Sequence, residues 1–135
     1  MDCIFCKIIK GDIPCAKIYE DDKIFSFLDI APANKGHALV IPKEHYETLL
    51  DAPDVVVNDL MLLVKKVKRA LSSSLGAEGF NILINNKKVA GQLVPHLHIH
   101  IIPRFSNDGV SLNWKPKRYS EKEIDEFAEK IKKFI

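Results

Sequence analysis

Apolar and polar positions recur along this chain with two different periods. In KIFSFLD, Ile24, Ser26 and Leu28 alternate with Phe25, Phe27 and Asp29, the period-two pattern of a strand. With AKIYE before it and an Asp21-Asp22 turn between, the segment reads as a β-hairpin. HALVIP (37–42) predicts a third strand closed by Pro42, FNILIN (80–85) a fourth and HLHIHII (96–102) a fifth. Between them the period changes. Val56, Leu60, Leu63, Val64, Val67 and Leu71 recur at helical spacing, so a long amphipathic helix is expected from Pro53-Asp54 to about Leu75, ended by Gly76 and Gly79.

The ends of the chain carry shorter helical signals. CIFCKII (3–9) predicts one or two turns, stopped by Gly11 and Pro14. Ser120 with Glu123 three residues later forms a capping-box pattern for a helix running to Ile135. Pro32, Asn34 and Gly36 mark a loop, and residues 104–119 read as irregular, with Trp114 among basic residues and prolines. The order is α-β-β-β-α-β-β-α. No long crossover separates the second and third strands, so an antiparallel α+β sheet is expected rather than a parallel one.

Composition narrows the class. The 135 residues suit one domain, and 47% hydrophobic content is enough for a core. Twenty basic and eighteen acidic residues nearly cancel, to +2, so bulk charge gives no argument for nucleic-acid binding. No apolar run is long enough to span a bilayer, and MDCIFCKIIKGD does not read as a signal peptide, which points to the cytoplasm. Three cysteines, an odd number, argue against a disulfide framework; Cys3-x-x-Cys6 suggests a metal site or a redox pair, and Cys15 a small buried residue.

One stretch is chemically unusual. In PHLHIHIIP (95–103), three of the five histidines fall at every second position. On a strand, His96, His98 and His100 share one face, spaced roughly 6.5–7 Å apart, while Leu97, Ile99 and Ile101 face the other way. Three readings compete: a histidine-rich polar face, one metal held by all three, or catalysis. The row is too stretched for one small ion. A neutral imidazole, by contrast, is a good nucleophile near pH 7, and its neighbours can bind an anion or assist a leaving group. Asn85 and Gly91-Gln92 lie just upstream, with amides and a bare backbone suited to phosphate oxygens. Asn85 could equally be a turn residue, and Lys87 and Lys88 read best as a solvated turn.

These residues, with two further blocks, resemble the histidine-triad (HIT) superfamily. HLHIHII matches its His-φ-His-φ-His-φ-φ signature. CIFCKIIKGDIPCAKIYEDD resembles the family's N-terminus, FLDIAPANKGHALVIPKEH its central block and GQLVPHLHIHIIPR its active-site block, together covering the chain to about Arg104. The nearest branch is that of the small Hint-like, prokaryotic-type proteins. The resemblance implies one HIT domain over 1–135, with a five-stranded antiparallel sheet, one long central helix and short terminal helices. It implies a homodimer and a purine nucleotide of the AMP type, with no nucleic-acid or membrane partner. His98 would attack the α-phosphorus to give a covalent nucleotidyl-imidazole, which water then hydrolyses. His100 would bind phosphate oxygens and help the leaving group, and His37 would be a fourth active-site histidine. Asn85, Gly91 and Gln92 would lie at the phosphate, and Asp29 would accept from both ribose hydroxyls. Ile4, Phe5, Ile8, Phe27, Leu28 and Ile30 would wall the purine pocket; from composition alone they are equally ordinary core residues.

The resemblance also implies a structural zinc ion on Cys3, Cys6, His45 and His96, against the alternative of free thiols. One position departs from the branch: Leu93 stands where a Ser or Thr usually follows the Gly-Gln pair, and Pro95 before the triad is also less usual. The expected activity is that of a purine nucleoside phosphoramidase. The rivals are a dinucleoside polyphosphate hydrolase and a nucleotide-binding regulator with little turnover.

Overall fold

The computed structural model describes residues 2–135; Met1, the first residue of the expected domain, lies outside the described residues. A short helix α1 (Ile4–Lys10) leads into strands β1 (Lys17–Glu20), β2 (Ile24–Leu28) and β3 (Ala38–Pro42). The long helix α2 (Asp54–Leu75) follows, then β4 (Gly79–Leu83), β5 (Ile99–Arg104) and a terminal helix α3 (Glu123–Lys132). Single 3₁₀ turns at Leu49–Asp51 and Lys88–Ala90 join the larger elements. The five strands form one sheet, antiparallel throughout, in the order β1-β2-β3-β5-β4.

Side-chain alternation sends each strand's residues to two different cores. Ile24, Ala38, Val40, Leu97, Ile99 and Ile101 pack with Leu60, Leu63, Val64, Val67 and Leu71 of α2. Phe25, Phe27, Leu39 and Ile41 pack on the opposite face with Cys3, Phe5 and Ile8 of the α1 segment. The helical spacing read in α2 is therefore the stripe that covers the sheet. Gly76 ends that helix at φ 66°, its N–H donated to the Ser72 carbonyl.

Several boundaries differ from the sequence expectation. β5 begins at Ile99 rather than at residue 96 and extends to Arg104, pairing Gly79 with Arg104 and Leu83 with His100. Residues 96–98 make other bonds: the Leu97 N–H goes to the Tyr46 carbonyl (2.6 Å), and the His96 carbonyl is taken by a side chain. β4 stops at Leu83 because its partner strand begins there. α3 ends at Lys132, and of the capping box only the carboxylate half forms, Glu123 accepting from the Ser120 N–H at 3.0 Å. α3 buries none of its own side chains. No helix among the described residues is long and apolar enough to cross a membrane.

Candidate active site

The histidine row sits on the α1 face of the sheet. His96 is fully buried and His98 94% so, which removes the reading of a solvated polar face. Phe5 of α1 stands nearly perpendicular to both rings, with centroids 5.8 Å from His96 and 5.2 Å from His98.

Backbone groups fix the tautomers. The His96 carbonyl can only accept, so His98 Nδ1, 2.6 Å away, carries the hydrogen. Nε2 of His98 is then the unprotonated, nucleophilic nitrogen. Burial pushes the His98 pKa below its usual value, against smaller opposing pulls from the His96 carbonyl and Asp29. The ring is therefore neutral near pH 7.

A second chain of bonds orients His100. The Ala33 N–H donates to His37 Nδ1 (3.0 Å), which obliges His37 to carry its hydrogen on Nε2. That nitrogen lies 2.9 Å from His100 Nδ1, so His100 accepts there and holds its own hydrogen on Nε2. Burial, then His98 and His37, lower the His100 pKa to about 4, and burial lowers that of His37. Asp29 lies beside this pair, its Oδ2 3.8 Å from His37 Nε2 and its Oδ1 accepting the Ala31 N–H at 2.9 Å.

These groups open on a cavity of about 570 Å³. Of the expected residues, His98, His100, His37, Asp29, Asn85, Gly91, Ile4, Phe5, Ile8, Phe27 and Ile30 line it. Leu93 does too, with its side chain 91% exposed at the rim. No lysine or arginine is among the lining residues.

Two expected residues are elsewhere. Leu28 alternates away from Phe27 and packs against the α2 core, so it is not a wall of this pocket. Gln92 is buried and its amide is committed: Oε1 accepts the Lys87 N–H (2.7 Å) and Nε2 donates to the Glu47 carbonyl (2.7 Å). It clamps the loop that carries Asn85 and Gly91 instead of facing the cavity. Lys87, in that loop, holds φ at 72°.

The remaining histidines and the thiols meet beneath the cavity. Cys3, Cys6, His45 and His96 bring one ligand atom each within 4.8 Å of all the others. The Sγ···Nδ1 distances are 3.4 Å for Cys3–His96, 3.5 Å for Cys6–His45 and 3.6 Å for Cys6–His96. A tetrahedral zinc ion with ordinary Zn–S and Zn–N bonds separates sulfur from nitrogen by about 3.5 Å. His96 also donates Nε2–H to the Pro42 carbonyl (2.8 Å), which leaves Nδ1 unprotonated towards the thiols, as a metal ligand requires. Asp29, His37 and His100 also cluster, but the 2.9 Å His37–His100 separation is that of a hydrogen bond and is shorter than two nitrogens on one tetrahedral ion, about 3.3 Å apart.

Sequence reasoning missed several participants. Ile13, Pro14, Cys15, Leu39 and Val94 also line the cavity, and no pattern distinguished them from core. Asn34 donates to the Pro103 carbonyl and to Asp108, which also holds Arg104 and the N–H groups of Phe105 and Val110. This network fastens the His37 loop to the end of β5. Its sequence trace is the loop marked by Pro32, Asn34 and Gly36.

Comparison with known proteins agrees with this architecture. The family model described as HIT domain matches residues 10–107. The chain is similar to an adenosine 5'-monophosphoramidase of Schizosaccharomyces pombe, with 47% identity over 132 residues, covering 97% of this chain and 96% of that protein. It superposes on the crystal structure of a HIT family member from Bacillus subtilis with a TM-score of 0.92 and 42% identity, covering 100% of this chain and 98% of that one. A zinc-bound histidine triad family protein from Mycobacterium smegmatis matches with a TM-score of 0.79 and 42% identity, over 87% of this chain and 86% of that one. A triad of histidines leading into β5 on the α1 side of an antiparallel sheet, a matching family model and relatives over nearly the full length place this chain in the HIT family.

Proposed function

We propose that the chain is a nucleotide hydrolase that cleaves purine nucleoside 5'-phosphoramidates at the α-phosphate through a nucleotidyl-His98 intermediate. The observation that carries this reading is the 2.6 Å bond from His98 Nδ1 to the His96 carbonyl, which leaves a neutral Nε2 facing the cavity. That nitrogen forms a bond to phosphorus as the P–N bond breaks. The leaving nitrogen takes a proton from solvent at the cavity mouth and departs as an amine. His100 Nε2–H donates to a non-bridging phosphate oxygen, held in that tautomer by His37. Water then attacks phosphorus as the P–Nε2 bond breaks, returning one proton to solvent and releasing neutral His98 and the nucleoside monophosphate.

Phe5, Ile4, Ile8, Phe27 and Ile30 wall the purine, Asp29 accepts from the ribose hydroxyls, and Asn85 and Gly91 approach the phosphate. The lining offers no fixed cation for further phosphates, which favours a single phosphate with a neutral leaving group over a dinucleoside polyphosphate. The name of the S. pombe relative supports the same choice.

The reading includes a structural zinc ion on Cys3, Cys6, His45 and His96, supported by the sulfur–nitrogen distances and by the zinc-bound M. smegmatis relative. Its contribution is to cross-link the N-terminus to the sheet. The reading treats residues 1–135 as one domain. It also includes a homodimer, supported by the exposed apolar side chains Ile124, Phe127 and Ile131 on α3 and by the exposed Trp114.

The test is single-turnover hydrolysis of adenosine 5'-phosphoramidate by the wild type and His98→Ala, with intact-mass detection of adenylylated protein. AMP release and a one-AMP adduct in the wild type, both lost in the variant, are expected. A folded wild type that binds AMP but gives neither product nor adduct removes the phosphoramidase reading in favour of a binding protein. Faster turnover of diadenosine polyphosphate removes it in favour of the polyphosphate hydrolase.

A further inference from the structure

The segment Cys3–Ile8 serves two sites at once. Cys3 caps α1 and Cys6 lies within it, and both point at His96. Ile4, Phe5 and Ile8, from the same turns, form part of the cavity wall. A seven-residue helix does not hold its shape alone, so its position depends on what anchors it. Its apolar anchor is Phe5 and Ile8, buried against β2 and β3, while Ile4 is 48% exposed.

His96 joins the two sites a second time. Its Nδ1 faces the thiols, its Nε2 is tied to Pro42, and its carbonyl holds the nucleophile's Nδ1–H. Phe5 completes the link, with its ring edge-on to Phe27 at 5.5 Å and to His98 at 5.2 Å. A shift of α1 away from the sheet would move the purine wall and unseat the ring packed on His98 together.

We propose that metal binding at Cys3, Cys6, His45 and His96 is coupled to nucleotide binding through α1, with Phe5 as the positioning residue. With metal bound, α1 is pinned against the sheet, and the cavity is ready for a purine. By linkage, nucleotide must tighten metal binding by the same factor. The inference rests on the nucleotide-binding reading above and extends it, because it makes the metal site a determinant of affinity as well as of stability.

The experiment has two arms. AMP is titrated calorimetrically into zinc-loaded and metal-free protein, each checked for fold by far-UV circular dichroism. Co²⁺ is titrated separately, followed by its thiolate absorption, with and without saturating AMP. AMP is expected to bind about tenfold more tightly to the loaded protein, and Co²⁺ about tenfold more tightly with AMP present. In Phe5→Leu both ratios are expected to shrink towards one while the four-coordinate Co²⁺ spectrum is kept. A zinc ion that only adds global stability leaves the Phe5→Leu ratios equal to those of the wild type.

Equal AMP affinity in folded loaded and folded metal-free protein overturns the coupling. Should the metal-free chain lose its fold, the rate at which a chelator strips Co²⁺ from loaded protein, well below its melting temperature, replaces the first arm; equal rates with and without AMP overturn the coupling. Failure of loaded protein to bind AMP overturns the nucleotide reading and the coupling with it. Failure to take up stoichiometric metal overturns the metal reading instead.

Discussion

His37 Nε2 lies 2.9 Å from His100 Nδ1, and the direction of that bond is set by a backbone amide on the far side of the His37 ring. An N–H can only donate, so Ala33 dictates which nitrogen of His37, and in turn of His100, bears hydrogen. His37→Phe keeps much of the ring volume and removes that control. The expected result is a fall in turnover of about a hundredfold, with AMP affinity changed far less, read by kcat against Kd. An unchanged kcat would show that His100 needs no such partner.

Asp29 presents a carboxylate at the cavity, with one oxygen engaged by Ala31. Asp29→Asn should weaken the ribonucleotide by about tenfold, as expected for a lost hydrogen bond to a charged acceptor. The 2'-deoxynucleotide, which offers one hydroxyl fewer, should lose less. Competition of AMP and dAMP against a fluorescent nucleotide measures both. Equal losses for the two sugars would take Asp29 away from the ribose.

Acid should destabilise the fold in a defined window. His100 is held to about 4 in the folded chain against 6.5 for the free side chain, and His98 and His37 shift in the same direction. Above about pH 6.5 both folded and unfolded chains are neutral at these rings, so they cost nothing. As pH falls from about 6.5 towards 4, the unfolded chain takes up protons that the folded chain refuses, and stability declines; below that it levels off for His100. Melting temperatures across this range check the prediction, and His100→Phe should flatten part of the slope.

Gln92 closes a loop whose backbone is otherwise unfavourable, since Lys87 sits at φ 72° and ψ 157°. Gln92→Ala leaves the Lys87 N–H and the Glu47 carbonyl without their side-chain partners. It is expected to cost about 1–3 kcal/mol in denaturant unfolding. Lys87→Gly should relieve strain of about 1 kcal/mol or more, and combining the two should recover part of the loss. A destabilising Lys87→Gly would refute the strain.

Gly36 has φ at 95°, and a Cβ there would lie 2.5 Å from Leu75 Cδ1. Gly36→Ala should therefore destabilise by about 1–3 kcal/mol, through backbone strain and the displaced leucine. Leu75→Ala in the same chain should return the steric part and leave the backbone part.

The sequence carried the sheet and α2 well, because Phe25/Phe27 against Ile24/Leu28 and Leu60 through Leu71 are periodic patterns with one burial solution each. It also carried His98 and its neighbours, since strict alternation places them on one face. It failed where side chains serve backbone groups. The amide of Gln92 is as suited to a carbonyl as to a phosphate, and only the fold brings Glu47 to it. Leu28 failed for a different reason: adjacency to Phe27 in sequence means opposite faces in a strand. The start of β5 was misplaced because the chain bends at residues 94–96 and residues 96–98 bond outside the sheet, the His96 N–H to the Val94 carbonyl, the Leu97 N–H to Tyr46 and the His96 carbonyl to a neighbouring imidazole.

A cavity lined by neutral imidazoles, amides, apolar walls and the single carboxylate of Asp29 has no fixed positive charge to be screened. Sites that grip phosphate with lysine and arginine lose affinity steeply as salt is added. Here added salt should not weaken nucleotide binding, since the one fixed charge in the lining, Asp29, repels phosphate and is itself screened, and the dominant contribution should appear as a negative heat-capacity change from burying the purine. Such a protein would keep its hold on substrate across wide swings in cellular salt, while its affinity would follow temperature.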